Sequence, residues 1–205
     1  MILFDEENLS PVRKRTLDRL TEAALRLYQH NKFPTPEEVT REAGYAKVTL
    51  KSYFTTYSEF VEYVVRRVIN GFDKPRMDGE AEKNVENLLT WGFGELDTHE
   101  ALMRDAMRIA QQRWQEHAAT PGSQERELKR SNRKVDLSEA LLPLRTPLPA
   151  ETVDKLVMLL SVLYGTEALT VLKDSFGLNQ AEVTELTVWG EKMLLRQTLS
   201  DAENS

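Results

Sequence analysis

The stretch Thr35–Phe54, TPEEVTREAGYAKVTLKSYF, decides the fold. Thr35 is placed to cap a helix, because its hydroxyl can accept the backbone N–H of Glu38 while the glutamate carboxylate reaches back to the cap. Gly44 stands where a left-handed residue would end that helix and turn the chain. A second short helix is predicted from Lys47 to Phe54. Helix, glycine turn and helix are typical of a DNA-binding helix-turn-helix, whose second helix enters the major groove.

Amphipathic helices are predicted on both sides of this stretch. Arg15–Tyr28 has leucine and alanine side chains on one face at three- and four-residue steps. On the other side, Thr56 and Glu59 form a second capping box, and Ser58–Phe72 has one apolar stripe opposite a charged face. The helix-turn-helix is therefore expected to be the centre of a larger helical domain.

With these neighbours the chain resembles the tetracycline-repressor (TetR) family of transcription regulators. The matching residues extend over about residues 15 to 65 and are Ala23-Ala24, Leu27-Tyr28, Thr35, Val39, Ala43-Gly44, Thr49-Leu50, Tyr53-Phe54 and Phe60. The resemblance implies an all-α fold with an N-terminal three-helix DNA-binding head and a C-terminal helical body for ligand binding and dimerisation. The corresponding predicted domains are residues 12–57 and 58–199.

Composition limits the classes of protein that are compatible with this chain. It has no cysteine, which excludes disulfides and thiolate metal sites and favours a reducing cytoplasm. The first residues are too short and too acidic a run for a signal peptide. The longest uncharged run is residues 156–166, which is too short to cross a bilayer. We therefore expect a cytoplasmic protein that has no membrane partner.

The distribution of charge is uneven. The whole chain has a net charge of −6, yet residues 13–54 contain nine Lys and Arg against five acids, a net charge of +4. The remainder therefore has −10. A basic end on an acidic body suits a protein that contacts phosphate at one end only, although charge also fluctuates by chance along any chain.

The rest of the chain also predicts helices and no strands. Apolar periodicity predicts helices at Glu80–Thr98, Glu100–Ala118, Gln124–Leu142 and Thr152–Phe176, followed by a last helix that Asn179 caps together with Glu182. The last two helices are apolar on most sides, which favours burial of a second face in a homodimer. In the TetR family these helices form a four-helix bundle, and the candidate interface residues are Leu156, Leu160, Leu163, Val183, Leu186, Trp189 and Met193.

Enzymatic chemistry has little support. No glutamate precedes any of the three histidines by three residues, and the chain contains no phosphate-binding glycine loop, HExxH motif or nucleophile elbow. We predict no catalytic residues, no metal and no cofactor. The TetR resemblance places an inducer pocket in the body, at the position of Trp91, Met103, Met107 and Trp114, unless these side chains are only core. Their types weakly favour an unknown effector of apolar or aromatic character.

The TetR resemblance implies a ligand-responsive repressor that binds a palindromic operator in double-stranded DNA as a homodimer. The candidate DNA contacts are Arg13, Thr35, Tyr45, Lys47, Val48, Thr49, Lys51, Ser52, Tyr53 and Tyr57.

Several residues depart from the family pattern. Ala46 replaces the usual serine, Val48 replaces glycine, and Lys51 and Tyr57 have exchanged residue types. One interpretation is that the exchange keeps the phosphate contacts and moves the charge one helix earlier; the other is that both positions have drifted and contact nothing. For the whole protein, the alternative function is a TetR-fold protein that has lost operator binding and acts through ligand or protein contacts.

Overall fold

The computed structural model describes Glu6, residues 8–118 and residues 132–204. All regular secondary structure in these residues is helical, which confirms the all-α prediction. The elements are α1 Pro11–Gln29, α2 Pro36–Glu42, α3 Val48–Lys51, α4 Tyr57–Asn70, α5 Ala81–Thr98, α6 Glu100–Ala118, α7 Asn132–Ala140, a 3₁₀ helix Leu142–Arg145, α8 Ala150–Leu163, α9 Thr166–Phe176 and α10 Gln180–Glu203.

The predicted capping boxes set the starts of three helices. At α2 the Glu38 amide donates to the Thr35 hydroxyl at 3.3 Å, and the Thr35 amide donates to the Glu38 carboxylate at 2.8 Å. Thr56 with Glu59 caps α4 in the same way, and Asn179 with Glu182 caps α10. Each box satisfies amides that have no partner in the first turn of a helix, so these boundaries could be predicted from local sequence.

The helices pack as two compact units. The first unit contains α1 to α4 and α6, and the second contains α5 and α7 to α10. The first unit has an aromatic core, in which the Phe54 ring centroid lies 5.5 Å from those of Phe60 and Tyr63. Because α4 buries Phe60, Val61 and Val64 in this core, the packing boundary differs from the predicted division at residues 57 and 58.

The prediction of one helix over Thr152–Phe176 is wrong, since the chain breaks between α8 and α9. Gly165 has a φ of +131°, which side chains other than glycine rarely adopt. The Arg133 guanidinium occupies the space of the missing Cβ and donates to the Ser161 carbonyl at 2.8 Å and to the Glu167 carboxylate at 2.5 Å. Arg133 therefore satisfies a carbonyl near the end of α8 and binds the first turn of α9.

The predicted helix Gln124–Leu142 is described only from residue 132 onward, where α7 begins at Asn132. It ends at Ala140, and Leu142–Arg145 follows as a 3₁₀ helix. Residues 124–131 of that prediction lie outside the described residues.

Helix α10 is a main support of the second unit's core. Its side chains Val183, Thr187, Glu191 and Leu195 are buried at four-residue steps, and α10 packs along α5. Buried Asn84 on α5 is fully bonded, because it exchanges two hydrogen bonds with the Gly79 backbone and donates to the Ala140 carbonyl. None of the described helices is by itself long and apolar enough to span a membrane. Only α8 and α9 taken together reach that length and apolarity, and they are bent by 45° relative to each other.

Two glycines on α5 give a matched test of this packing. A Cβ at Gly92 would lie 2.1 Å from the Tyr164 hydroxyl oxygen, whereas a Cβ at Gly94 would meet nothing within 4 Å. We expect Gly92→Ala to destabilise the protein by about 1–3 kcal/mol through overpacking. Gly94→Ala should stabilise it by about 0.5–1 kcal/mol, because alanine favours the helix more than glycine does. Urea unfolding of both variants checks this, and equal effects would contradict the close packing of Tyr164 on Gly92.

Candidate functional site

The helix-turn-helix stretch has the predicted turn and a shorter second helix. Gly44 has a φ of +76°, the left-handed conformation expected of it, and the Tyr45 amide donates to the Thr40 carbonyl at 2.8 Å. Helix α3 is a single turn, Val48–Lys51, instead of the predicted Lys47–Phe54. No side chain caps its first turn, since Lys47 occupies the N-cap position and cannot accept a backbone N–H.

The outer face of α3 is exposed and basic. Lys47, Val48, Lys51 and Ser52 are exposed, and Val48 keeps 69% of its surface, while Leu50 is buried and anchors the helix. Lys47 forms an ion pair with Glu37 on α2, and this contact lowers the pKa of the Glu37 carboxyl. Lys51 has no salt bridge within the described residues. Lys51 thus brings a charge to this face that is not neutralised by a bonded acid.

Arg13 and Tyr53 join the start of α1 to the end of α3. The Arg13 guanidinium donates to the Ser52 carbonyl at 2.7 Å and lies 4.8 Å from the centroid of the Tyr53 ring. The Tyr53 hydroxyl in turn donates to the Arg13 carbonyl at 3.1 Å. These predicted DNA-binding residues therefore have a structural role in the position of α3. Of the other candidates, Tyr45 and Thr49 are half-buried.

Two candidate phosphate donors use their hydroxyl protons inside the first unit. The half-buried Tyr57 hydroxyl donates to the Pro34 carbonyl at 2.6 Å, and burial raises the pKa of Tyr57. The Thr35 hydroxyl lies 2.9 Å from the Glu38 carboxylate in its capping box. A hydroxyl has one proton to donate, so in this geometry neither residue offers it to DNA. Of the two residues in the predicted exchange, Lys51 is exposed and can contact a phosphate, whereas the Tyr57 hydroxyl is already used inside the unit.

A buried polar network ties α6 to α1, and sequence reasoning missed it. The Tyr28 hydroxyl donates to the Asp105 carboxylate at 2.7 Å, and Arg108 binds the same carboxylate at 2.7 Å. Asp105 is almost fully buried, and burial raises the pKa of Tyr28 above its usual range. A signal existed in the sequence, because Asp105 lies three residues after Leu102 and four before Ile109, in the apolar stripe of α6.

Ion pairs connect α4 to the same two helices. Arg113 on α6 binds Glu62 on α4. Arg67, near the end of α4, binds Asp18 on α1 at 2.9 Å and Glu6 at 3.0 Å. Helix α6 is therefore bonded to both helices that flank the α2–α3 segment.

The four candidate effector contacts are divided between the units. Trp91 is half-buried against the core of the second unit. Met103 is buried, Met107 is half-buried and Trp114 is 56% exposed, all on α6 of the first unit. An effector pocket formed by these side chains stays a prediction.

An open groove of about 610 Å³ lies between α5 and α10. Its lining is mixed in character and includes Glu86, Thr90, Glu185, Trp189 and Lys192. None of the four candidate effector contacts lines this groove.

The structure corrects the candidate dimer interface. Leu156, Leu160 and Val183 are buried in the core of the second unit, and Leu163 is half-buried there. Leu156, Leu160 and Val183 therefore have almost no surface available to a partner, whereas Leu163 keeps part of its surface. Six large apolar side chains of α8 and α10 are exposed, and we call them the terminal apolar stripe: Met158, Leu159, Val162, Leu186, Trp189 and Met193.

The two helices that carry this stripe are neighbours. A Cβ at Gly190 on α10 would lie 3.7 Å from the Leu163 side chain on α8, so the two helices approach closely there. At 100° per residue, Met158, Leu159 and Val162 lie on the side of α8 away from the buried leucines, and Leu186, Trp189 and Met193 share one side of α10.

Within residues 6, 8–118 and 132–204, no group of three or more His, Asp or Glu side chains is placed to hold a metal ion. No family model matches this chain, and neither a curated protein nor a solved structure matches it. The TetR resemblance therefore rests on the residues quoted from the sequence.

The Tyr28–Asp105 contact can be tested by a double-mutant cycle. We expect Tyr28→Phe to destabilise the first unit by about 1–3 kcal/mol, because it removes a donor from a buried carboxylate. Asp105→Asn should lower the free energy of unfolding by a similar amount. The double variant should therefore be destabilised by less than the sum of the two single effects. Urea unfolding would be followed by Trp114 fluorescence in a chain that carries Trp91→Phe and Trp189→Phe.

Tyr45→Phe is the matched control for this cycle, since it removes a hydroxyl from a half-buried tyrosine of the same unit. Its effect should stay below about 0.5 kcal/mol. If Tyr28→Phe and Tyr45→Phe have equal effects, the buried contact does not contribute to stability.

Proposed function

We propose that this chain is a homodimeric, ligand-responsive transcription regulator that binds palindromic DNA, most simply as a repressor. The main support is the α2–Gly44–α3 segment, in which a left-handed glycine joins two helices and the outer face of the second is exposed and basic. Such a face can enter a major groove, where side chains reach base edges. The residues shared with the TetR family supply the second line of support.

Charge also favours DNA as the partner. The basic residues 13–54 belong to a chain of net charge −6, so attraction to phosphate is restricted to one end. Lys51 is exposed and has no salt bridge in the described part of the chain. Its charge would replace a condensed counterion on DNA and contribute to affinity for every sequence.

The terminal apolar stripe supports the homodimer. Six large apolar side chains exposed on two adjacent helices would be costly to leave in water. A second copy presents the same stripe, so a two-fold axis lets each stripe cover the other. Two heads on such a dimer can bind half-sites about 34 Å apart, one helical turn of DNA.

Regulation requires that an effector bind the DNA-competent and released states with different affinity. Helix α6 carries three of the candidate effector contacts, Met103, Met107 and Trp114. The same helix binds α1 through Tyr28–Asp105 and α4 through Glu62–Arg113. We propose that a shift of α6 would be transmitted by these bonds to the helices that flank α2 and α3.

A second candidate function is a helical binding protein of the same fold that no longer recognises an operator. Three observations favour it: the Thr35 and Tyr57 hydroxyls are bonded internally, and Lys47 is paired with Glu37. On this alternative the α2–α3 segment would be a structural remnant, and the effector or a protein partner would account for the activity.

Salt-dependent binding to duplex DNA separates the two functions. Lys51→Ala should weaken binding about equally for all sequences and reduce the slope of log K against log salt by about 1. Glu37→Gln should strengthen binding, because it releases Lys47 from its ion pair. Lys134→Ala, which removes an exposed lysine from α7 in the second unit, is the control and should leave the slope unchanged. An unchanged slope for Lys51→Ala would contradict a phosphate contact at this residue.

The dimer is tested by placing a charge on the terminal apolar stripe. Val162 is 72% exposed, so Val162→Glu should give a folded monomer that sediments at half the mass of the wild-type chain. Leu160→Glu should instead unfold the second unit, because it buries an unpaired charge in the core. Val135→Glu makes the same change on α7, where the side chain is 59% exposed, and should leave the dimer intact.

Sedimentation velocity measures whether each variant is a monomer or a dimer, and circular dichroism measures whether it is folded. A well-folded dimer of Val162→Glu would place the interface elsewhere on the molecule.

A further inference from the structure

Glu191 on α10 is a buried acid. None of its surface is exposed, and no group among the described residues donates a hydrogen bond to either carboxylate oxygen. A buried polar group that lacks a partner is costly, and a buried unpaired charge costs much more than a neutral acid. The folded chain therefore tolerates Glu191 in its protonated form.

Charged groups of both signs lie near Glu191, but neither base forms a salt bridge with it in the described structure. Glu82 and Glu86 face it from α5, and Lys192 and Arg196 flank it on α10. Both bases are already bound to the acids of α5. Arg196 lies 2.9 Å from Glu82, and Lys192 lies 3.3 Å from Glu86.

The other helices that pack on α10 are α8 and α9, whose described charged side chains either have other partners, as Lys155 has in Glu151, or are exposed, as Asp174 is. Helices α8 and α9 bring apolar side chains to this core, among them Leu160 and Leu169. Three of their charged side chains are paired elsewhere: Asp154 with Arg145, Glu167 with Arg133, and Lys173 with Asp97. Burial, reinforced by the nearby Glu82 carboxylate, raises the pKa of Glu191 to about 8.

Glu191 and the terminal apolar stripe lie on opposite sides of one helix. At 100° per residue, Glu191 follows Thr187 by one turn on the side that packs in the core, while Leu186, Trp189 and Met193 point away from it. Any loosening of the buried side of α10 therefore changes the placement of the exposed stripe.

We propose that α10 is a proton-dependent element, which packs against α5 while Glu191 is protonated and loosens when alkaline pH removes that proton. Its consequence for assembly rests on the proposed homodimer: a loosened α10 would present the terminal apolar stripe less accurately to a second copy. The loosening itself does not require a dimer, because every group in the cluster belongs to one chain.

The direction of the pH effect follows from linkage. A solvated Glu191 ionises near its ordinary value of 4.5, whereas the packed Glu191 ionises near 8. Between these values the packed state binds more protons, so its stability relative to the open state falls as pH rises. Through this window the opening constant of α10 rises by up to about tenfold per pH unit, the slope for one proton, and it becomes constant above about pH 8.

Hydrogen exchange with mass spectrometry on the full chain tests this device. Protection factors of α10 amides, corrected for the intrinsic pH dependence of exchange, would be compared at pH 6.5, 7.5 and 8.5. In the wild type the opening constant should rise at least fivefold from pH 6.5 to 8.5. In Glu191→Gln and Glu191→Met, neither of which can ionise, it should change less than twofold.

Glu185→Gln is the control, because Glu185 is an exposed acid on the same helix, and this variant should keep the wild-type pH dependence. A wild-type opening constant that does not change with pH would overturn the proposal. So would an equal pH dependence in Glu191→Gln, since another group would then be responsible.

Sedimentation of the same samples separates this inference from the proposed function. Dissociation of the wild type at pH 8.5, with Glu191→Gln still dimeric, would support both the proton-dependent helix and its link to assembly. A chain that is monomeric at both pH values would overturn the dimer and the link to assembly, while the exchange data would still decide the role of Glu191.

Discussion

Helix α10 carries apolar side chains on two opposite sides, and the described part of the chain buries only one of these sides. Its buried side packs on α5 through Val183 and Leu195, and its outer side exposes Trp189 and Met193. The first contact builds the core of the second unit. In the proposed homodimer a two-fold axis would match the exposed stripe of one chain with that of its copy. The proposed function depends on this constraint, since a palindromic operator needs two DNA-binding surfaces.

The first unit combines an aromatic core with polar bonds that connect α1, α4 and α6. Apolar contacts around Phe54 and Phe60 are non-directional and would tolerate small shifts. The hydrogen bond between Tyr28 and Asp105 is directional, and a buried carboxylate that loses a donor is costly. This bond connects α1 to α6, and in the proposed regulator it would transmit a change at an effector contact on α6 to the helices beside α2 and α3.

Local rules predicted much of this fold because local interactions form it. Capping boxes at Thr35, Thr56 and Asn179 and the left-handed Gly44 depend on residues three or four positions apart, which a sequence displays directly. The break at Gly165 could not be seen, because the apolar pattern continues across it and the arginine that stabilises it lies 32 residues earlier, at position 133.

The exposed stripe of α8 and the contact between Tyr28 and Asp105 were harder to predict from the sequence, because both depend on tertiary packing. Helix α8 is apolar on most sides, so periodicity could not distinguish Leu160, which faces the core, from Val162, which faces outward. The partner of Tyr28 stands 77 residues away. The hydrogen bond from the Tyr57 hydroxyl to the Pro34 carbonyl likewise depends on tertiary contacts. Functional assignments made by position in a motif therefore needed the structure to show which donors are already used.

Selection of DNA from a random pool by the purified chain tests the central claim most directly. The account predicts enrichment of a palindromic consensus, with two half-sites whose centres are about one helical turn, roughly 34 Å, apart. The symmetry would report the homodimer and the consensus would report base recognition by α3. A pool that shows no enrichment over its starting composition would contradict the account and favour a helical binding protein that does not recognise an operator.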